Sequence, residues 1–211
     1  MYSEILLEGV KGVLIDLDDT IYKYETCHRY SLEICMKKLS EESGLDIEAC
    51  IGIYTNCRKQ INTQLHGQAA SHSRLLYFQL IWEKINGRTD FAKTLEFEKL
   101  YWDTFITRMQ VETEALHFLN LCFEKKIPVV IVTDLTTEIQ LRKIIQLKIE
   151  HYIKFIVSSE EAGEEKPGAK PFNYALNKLG LTSTEVIMVG DNDDKDRIGA
   201  ENAGIRYYHP F

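Results

Sequence analysis

Short unbroken apolar runs alternate along the chain with longer segments in which apolar residues recur every three or four positions. Residues 13–15, 127–132, 155–157 and 186–189 are rich in Val and Ile without polar alternation, the pattern of parallel strands covered by helices on both faces. A fifth strand is expected at 205–208, after Gly204. Residues 112–125 place Ala115, Leu119 and Cys122 on one stripe with Leu116 and Phe123 beside it, and 136–147 and 171–179 follow the same helical period. Strands alternating with helices predict an α/β fold, a doubly wound parallel sheet with right-handed crossovers.

The interval between the first two strands is far too long for one crossover, so it must carry structure of its own. Its period is helical. Leu32, Cys35, Met36 and Leu39 share a face before Gly44, and Asp46 is placed to cap a helix closing near Gly67. Ser71 or Ser73 precedes a segment with Leu75, Phe78, Trp82 and Ile85 on one side, ending at Gly87, and residues 91–109 form a fourth helix. The expected organisation is a core of residues 1–22 and 110–211 with an inserted α-helical cap at 23–109.

With 25 basic against 32 acidic residues the net charge is −7, and no Lys/Arg cluster tracks a phosphate backbone, so nucleic acid is not an expected partner. No apolar run approaches the roughly 20 residues that span a bilayer, so no membrane partner is expected either. The N-terminal stretch carries Glu4 and Glu8 and reaches Asp16 too soon for a secretory signal. Five cysteines, odd in number and without a CxxC pair, suggest reduced, partly buried thiols. These features point to a cytoplasmic protein.

Polar residues of catalytic type follow each strand, where open α/β sheets bind ligands. Asp16 and Asp18 follow the first, Thr133 the second, Lys166 the third by a loop, and Asp191 the fourth. Four acids, Asp16, Asp18, Asp191 and Asp196, gathered in one pocket would raise one another's pKa unless positive charge were present. Oxygen ligands without His or Cys suit Mg²⁺ better than Zn²⁺.

The stretches VLIDLDDTIY, IVTD, EEKPGAKPF and VGDNDDKDRIGA occur in that order, and together they resemble the four signatures of the haloacid dehalogenase superfamily of phosphohydrolases. The resemblance covers about residues 11 to 208 and implies a Rossmann-like core with the cap inserted after the first motif. DLDDTIY, the extended cap and SEEAGEEKP look most like the branch of nucleotide 5′-monophosphatases and sugar phosphatases. By this resemblance Asp16 is the nucleophile, forming an aspartyl-phosphate, and Asp18 protonates the departing oxygen and then activates water. The Asp16 carboxylate, the Asp18 backbone carbonyl and Asp191 would hold Mg²⁺, with Asp196 behind them or as an additional ligand. Thr133 and Lys166 would bind phosphoryl oxygens, and Thr20 would shape the loop. Lys170 also precedes a Pro, but the spacing to Phe172 favours Lys166.

Asp191 to Asp196 does not fit a calcium loop, because Lys195 and Asp196 occupy positions that need a ligand and a glycine. Nor is Gly163 to Lys170 a Walker motif. Dehalogenases of the superfamily lack the second acid of the first motif, so Asp18 favours phosphoryl chemistry. The expected function is an Mg²⁺-dependent phosphohydrolase of a small phosphorylated metabolite, such as a nucleoside monophosphate or sugar phosphate. A phosphomutase and a non-catalytic phosphate-binding module remain as alternatives. Selectivity is assigned to the cap: Tyr22, Tyr24 and His28 where the chain leaves the catalytic loop, and His66 and Arg74 from the polar stretch around Gly67 that also holds Arg58, Gln64 and His72.

Overall fold

The computed structural model describes residues 7–210, so Glu4 and the ends of the expected core segments lie outside the described residues. Strands β1 (Gly12–Ile15), β2 (Val129–Thr133), β3 (Ile153–Ser158), β4 (Val186–Val189) and β5 (Arg206–Tyr208) form one sheet in the order β3-β2-β1-β4-β5. All four pairings are parallel. Alternate side chains of each strand feed opposite layers. Val13, Ile15, Val129 and Ile131 join Ala115, Phe118 and Leu119 of α5 (Thr113–Glu124) and Ile139 and Ile144 of α6 (Thr137–Leu147). Leu14, Val130, Val132 and Met188 face Phe172, Ala175 and Leu176 of α8 (Ala169–Leu179). Helices therefore cover both faces, which is why the strands lack polar alternation.

Between β1 and β2 lie α1 (Tyr24–Ser43), α2 (Ile47–Gln64), α3 (Arg74–Asn86) and α4 (Phe91–Thr107). Asp46, Ser73 and Asp90 start the last three by accepting from the backbone N–H groups of Ala49, Leu76 and Lys93. Their interior is aromatic: Tyr77, Phe78, Phe97, Tyr101 and Phe105 are fully buried, and the cluster continues through Tyr22 into the layer on one sheet face.

Several boundaries differ from expectation. The second strand begins at Val129, because Pro128 has no N–H for the ladder and Lys126 turns the chain with φ +56°. The helix expected from residue 171 begins at Ala169, since a proline in the first turn removes only an N–H that has no helical partner. Helix α3 presents Phe78 and Trp82 inward as expected, together with Arg74, Tyr77 and Ile81, whereas Leu75 stays exposed. In α5 Leu116 and Phe123 are exposed, and Phe123 packs on the rings of His151 and Tyr152 instead. The remaining helix labels are α7 (Ser159–Ala162) and α9 (Ile198–Asn202).

Candidate active site

In the strand order, β1 and β4 flank the point at which connections pass to opposite sides of the sheet, and ligand crevices open there, beyond the carboxyl ends of the strands. Asp16 leaves β1 and Asp191 follows β4. Thr20 ties the two loops together: its hydroxyl donates to Asp191 Oδ1 at 3.2 Å and to Asp16 Oδ2 at 3.4 Å, and it accepts from Asp191 N. Carboxylate oxygens of Asp16, Asp191 and Asp196 all lie within 4.8 Å of one another.

Asp196 enters this group because residues Asp193–Arg197 form one π-helical turn that folds its side chain back under β4. It is fully buried, and its Oδ2 accepts from Asn192 N at 3.1 Å. Gly190 makes room for it, since a Cβ there would stand 2.3 Å from Asp196 Oδ2. Asp196 therefore belongs to the acidic cluster itself rather than standing behind it.

Lys166 reaches into the cluster from the loop before α8. Its ammonium donates to Asp16 Oδ1 at 2.5 Å, Asp196 Oδ1 at 2.6 Å and the carbonyl of Val132 at 3.1 Å. Burial raises the Asp16 carboxyl well above the usual range; Lys166 opposes that, and Asp196 and Asp18 add to it by repulsion. Burial likewise raises Asp191, with Asp196 and Asp19 contributing. Thr133 is buried beside Lys166, its hydroxyl accepting from Gln140 Nε2 at 2.7 Å.

Asp18 turns the other way. Both its oxygens accept from Lys143 Nζ, at 2.7 and 3.0 Å, and Oδ1 also accepts from the Tyr22 hydroxyl. Burial pushes this carboxyl up, but Lys143 and the hydrogen bonds from Lys143, Tyr22 and Gln140 outweigh it and hold the group below its ordinary value. Lys143 is wholly buried, with its ammonium 5.5 to 6.0 Å from the rings of Phe105, Trp102, Tyr22 and Tyr24. Sequence reasoning missed it. The available signal was two polar residues, Gln140 and Lys143, on the same inward stripe as Ile139, Ile144 and Leu147.

Two loops around the crevice carry left-handed residues that are not glycine. Asp19 has φ +62° and Leu135 φ +88°, strain that persists only where surroundings fix it. The Asp19 carboxylate accepts from Tyr24 N at 2.9 Å, at the start of α1, and Ser159 Oγ accepts from Leu135 N at 3.0 Å.

A cleft of about 350 Å³ opens over the cluster. Asp16, Thr133, Lys166 and Asp191 line its sheet side, and Tyr24, Arg58, His72, Arg74 and Trp102 line its helical side. Asp134 and Lys195, an ion pair at 2.6 Å that sequence reasoning also passed over, stand at its edge.

Of the cap residues expected to face substrate, Tyr24 and Arg74 line the cleft. Tyr22 lies beneath, against Asp18. His28 is buried, with Nδ1 2.7 Å from the Tyr101 hydroxyl, and burial together with Arg74 and Arg58 brings its pKa down to about 4. His66 does not line this cleft: it lies in a neighbouring hollow with Thr55, Lys59 and Thr63 that shares Arg58 with the cleft, because α2 ends at Gln64 and the chain turns at Gly67.

Residues 13–209 match the haloacid dehalogenase-like hydrolase family. A ribulose-1,5-bisphosphate 5-phosphatase from Halopiger xanaduensis is 32% identical over 196 residues, 92% of this chain and 82% of that protein. A glyceraldehyde 3-phosphate phosphatase from Methanopyrus kandleri is 27% identical over 93% of this chain and 82% of its own length. In three dimensions, a haloacid dehalogenase-type phosphatase from Thermococcus onnurineus superposes with a TM-score of 0.72 at 23% identity, covering 94% of this chain and 85% of that one. The chain belongs to the haloacid dehalogenase-like hydrolases and is a phosphoric monoester hydrolase of that family.

Proposed function

We propose that the protein is an Mg²⁺-dependent phosphatase of small phosphorylated metabolites, of the sugar-phosphate kind named for its relatives, with Asp16 as nucleophile. The observation that carries this reading is the union of a strand-end carboxylate, an ammonium and two further carboxylates in one buried group. Three carboxylates grouped with one ammonium leave two negative charges uncompensated when all are ionised, and the donors are oxygen only, so the group fits a hard divalent cation. Asp16, Asp191 and Asp196, with the Asp18 carbonyl, would hold Mg²⁺, which when bound offsets negative charge on the phosphoryl oxygens.

The chain's own groups divide the remaining work. Lys166 and Thr133 bind the non-bridging oxygens, and Lys166 lies between the Asp16 and Asp196 carboxylates. An Asp16 oxygen attacks phosphorus, the ester P–O bond breaks, and the departing oxygen takes a proton from Asp18. Water then attacks the aspartyl-phosphate, giving its proton to Asp18 and releasing phosphate and the Asp16 carboxylate. Lys143 and Tyr22 keep Asp18 ionised, which suits the second step; delivering a proton in the first requires Asp18 to leave Lys143.

The segment at 23–109 acts as the cap in this reading, with Tyr24, Arg58, Arg74 and Trp102 facing the leaving group. Among the described residues no helix is long and apolar enough to cross a membrane, and all five cysteines are free and buried. We therefore place the protein in the cytoplasm.

Release of p-nitrophenol from p-nitrophenyl phosphate, followed with Mg²⁺, with EDTA and after Mg²⁺ is restored, tests the class. Activity that survives EDTA would remove the metal from the reading, and no release under any condition would remove the hydrolase.

A further inference from the structure

Three lysine and arginine side chains are buried among the described residues: Arg74, Lys143 and Lys166. Two have carboxylate partners, Lys143 with Asp18 and Lys166 with Asp16 and Asp196. Arg74 has no ion pair among the described residues. Its Nη1 donates to the carbonyl of His72 at 2.6 Å, and its Nη2 to the hydroxyls of Tyr101, at 3.2 Å, and Tyr24. Every partner is neutral. Its Nε is buried without an acceptor, so the guanidinium, with five N–H donors, is not saturated.

The rings of Tyr101 and Trp102, each 5.0 Å from the guanidinium carbon, fix its orientation. Trp102 also lies 5.6 Å from Lys143 Nζ, so a single indole joins the helical wall to the cation that holds Asp18. Arg58 lines the same wall, exposed and likewise without a carboxylate partner among the described residues. The nearby acid, Glu165, is bound to His72 and Ser71 instead. A buried cation is retained at a cost unless an anion compensates it, and an arginine fork matches the paired oxygens of a phosphate or a carboxylate.

We propose that Arg74, assisted by Arg58, is a subsite for a second anionic group of the substrate, a phosphate or carboxylate remote from the ester being cleaved. This rests on the phosphohydrolase reading for the position of the first phosphate. The enzyme then selects bisphosphates or phosphorylated acids over phosphate esters that are neutral at the far end.

The test measures binding apart from turnover. Asp16→Asn protein with Mg²⁺ is titrated calorimetrically with two matched pairs: ribulose 1,5-bisphosphate against ribulose 5-phosphate, and 3-phosphoglycerate against glycerol 3-phosphate. At least tenfold tighter binding of the doubly anionic member is expected in one pair, the first pair identifying a phosphate subsite and the second a carboxylate subsite. Arg74→Gln should bring that ratio close to one, Arg74→Lys should restore part of it, and Arg58→Ala should lower it to an intermediate value. Equal binding within both pairs, no binding of any probe, or a ratio that survives the Arg74 substitutions would overturn the subsite. Should the Arg74 variants fail to fold, the exposed Arg58 decides the matter, and an unchanged ratio in Arg58→Ala counts against it. If the ratio holds while the unsubstituted enzyme releases no phosphate from any probe, the hydrolase reading fails and the subsite stands.

Discussion

The two walls of the cleft handle positive charge in opposite ways. On the sheet side Lys166 is locked between Asp16 and Asp196, each contact 2.6 Å or shorter. On the helical side Arg74 is held by hydroxyls, a carbonyl and aromatic faces. A cation already paired to carboxylates serves as a fixed part of a reaction centre, whereas one held by neutral groups keeps its charge for whatever enters. On the proposed reading, the difference assigns phosphoryl chemistry to the strand ends and recognition of the rest of the substrate to the helices.

The largest expected effect breaks the sheet side. Asp16→Asn should lower kcat on any phosphomonoester by at least about a thousandfold, because the near-isosteric amide cannot attack phosphorus. Burial, aided by repulsion from Asp196 and Asp18, disfavours the charged carboxylate by more than Lys166 favours it, so the neutral amide should leave the melting temperature equal or higher. A variant with half the normal rate would transfer the nucleophile's role elsewhere.

Lys143 touches both walls, and Lys143→Met sharpens the division between them. Removing the ammonium raises the pKa of Asp18, so a rate that needs its carboxylate form should lose its acid side at higher pH than in the unsubstituted enzyme. A fall in kcat of about 10- to 100-fold is expected, with a smaller change in KM. A pH–rate profile of unchanged position would show that Lys143 acts on packing alone.

Gly190→Ala attacks the sheet side through space rather than charge. Its Cβ must displace the Asp196 carboxylate, which Lys166 and Asn192 N hold in place. A loss of about 1 to 3 kcal/mol in unfolding free energy is expected, together with weaker Mg²⁺ activation; a denaturant titration beside a metal titration measures both.

On the helical side the effects should be smaller. The unfolded chain takes up a proton on His28 near its ordinary pKa of 6.5, but the folded chain does so only at about 4. Between those values the unfolded state binds more protons, so stability should fall as pH drops through the window. Thermal melts of His28→Asn should lack that part of the slope. Smallest of all, His66→Ala should change relative kcat/KM values among substrates by no more than about twofold, since His66 lies outside the cleft, in a neighbouring hollow that shares only Arg58 with it. A changed ranking would extend the recognition surface beyond the cleft.

The sheet and the polar residues at its strand ends were legible because strand ends are local events. An apolar run of a few β-branched residues followed by Asp16, Thr133 or Asp191 identifies both the strand and the group it delivers, and parallel strands carry those groups to one edge. The inserted helices were legible as helices for the same reason, since Asp46 and Ser73 cap them through contacts three residues away. Facing was another matter. Helical periodicity placed Phe78 and Trp82 inward but put Leu75 rather than Arg74 at the edge of the stripe, and that edge decides whether Arg74 is a solvated surface charge or a buried one in the cleft. Partners distant in sequence, Lys143 with Asp18 and Lys195 with Asp134, leave no local pattern either. The sequence by itself determined which segments form strands and helices and which acids stand at the strand ends, because hydrophobic period and burial are encoded within a few residues. Only the tertiary structure decided which cations are neutralised and which remain unpaired, because that depends on side chains brought together from elements far apart in the chain.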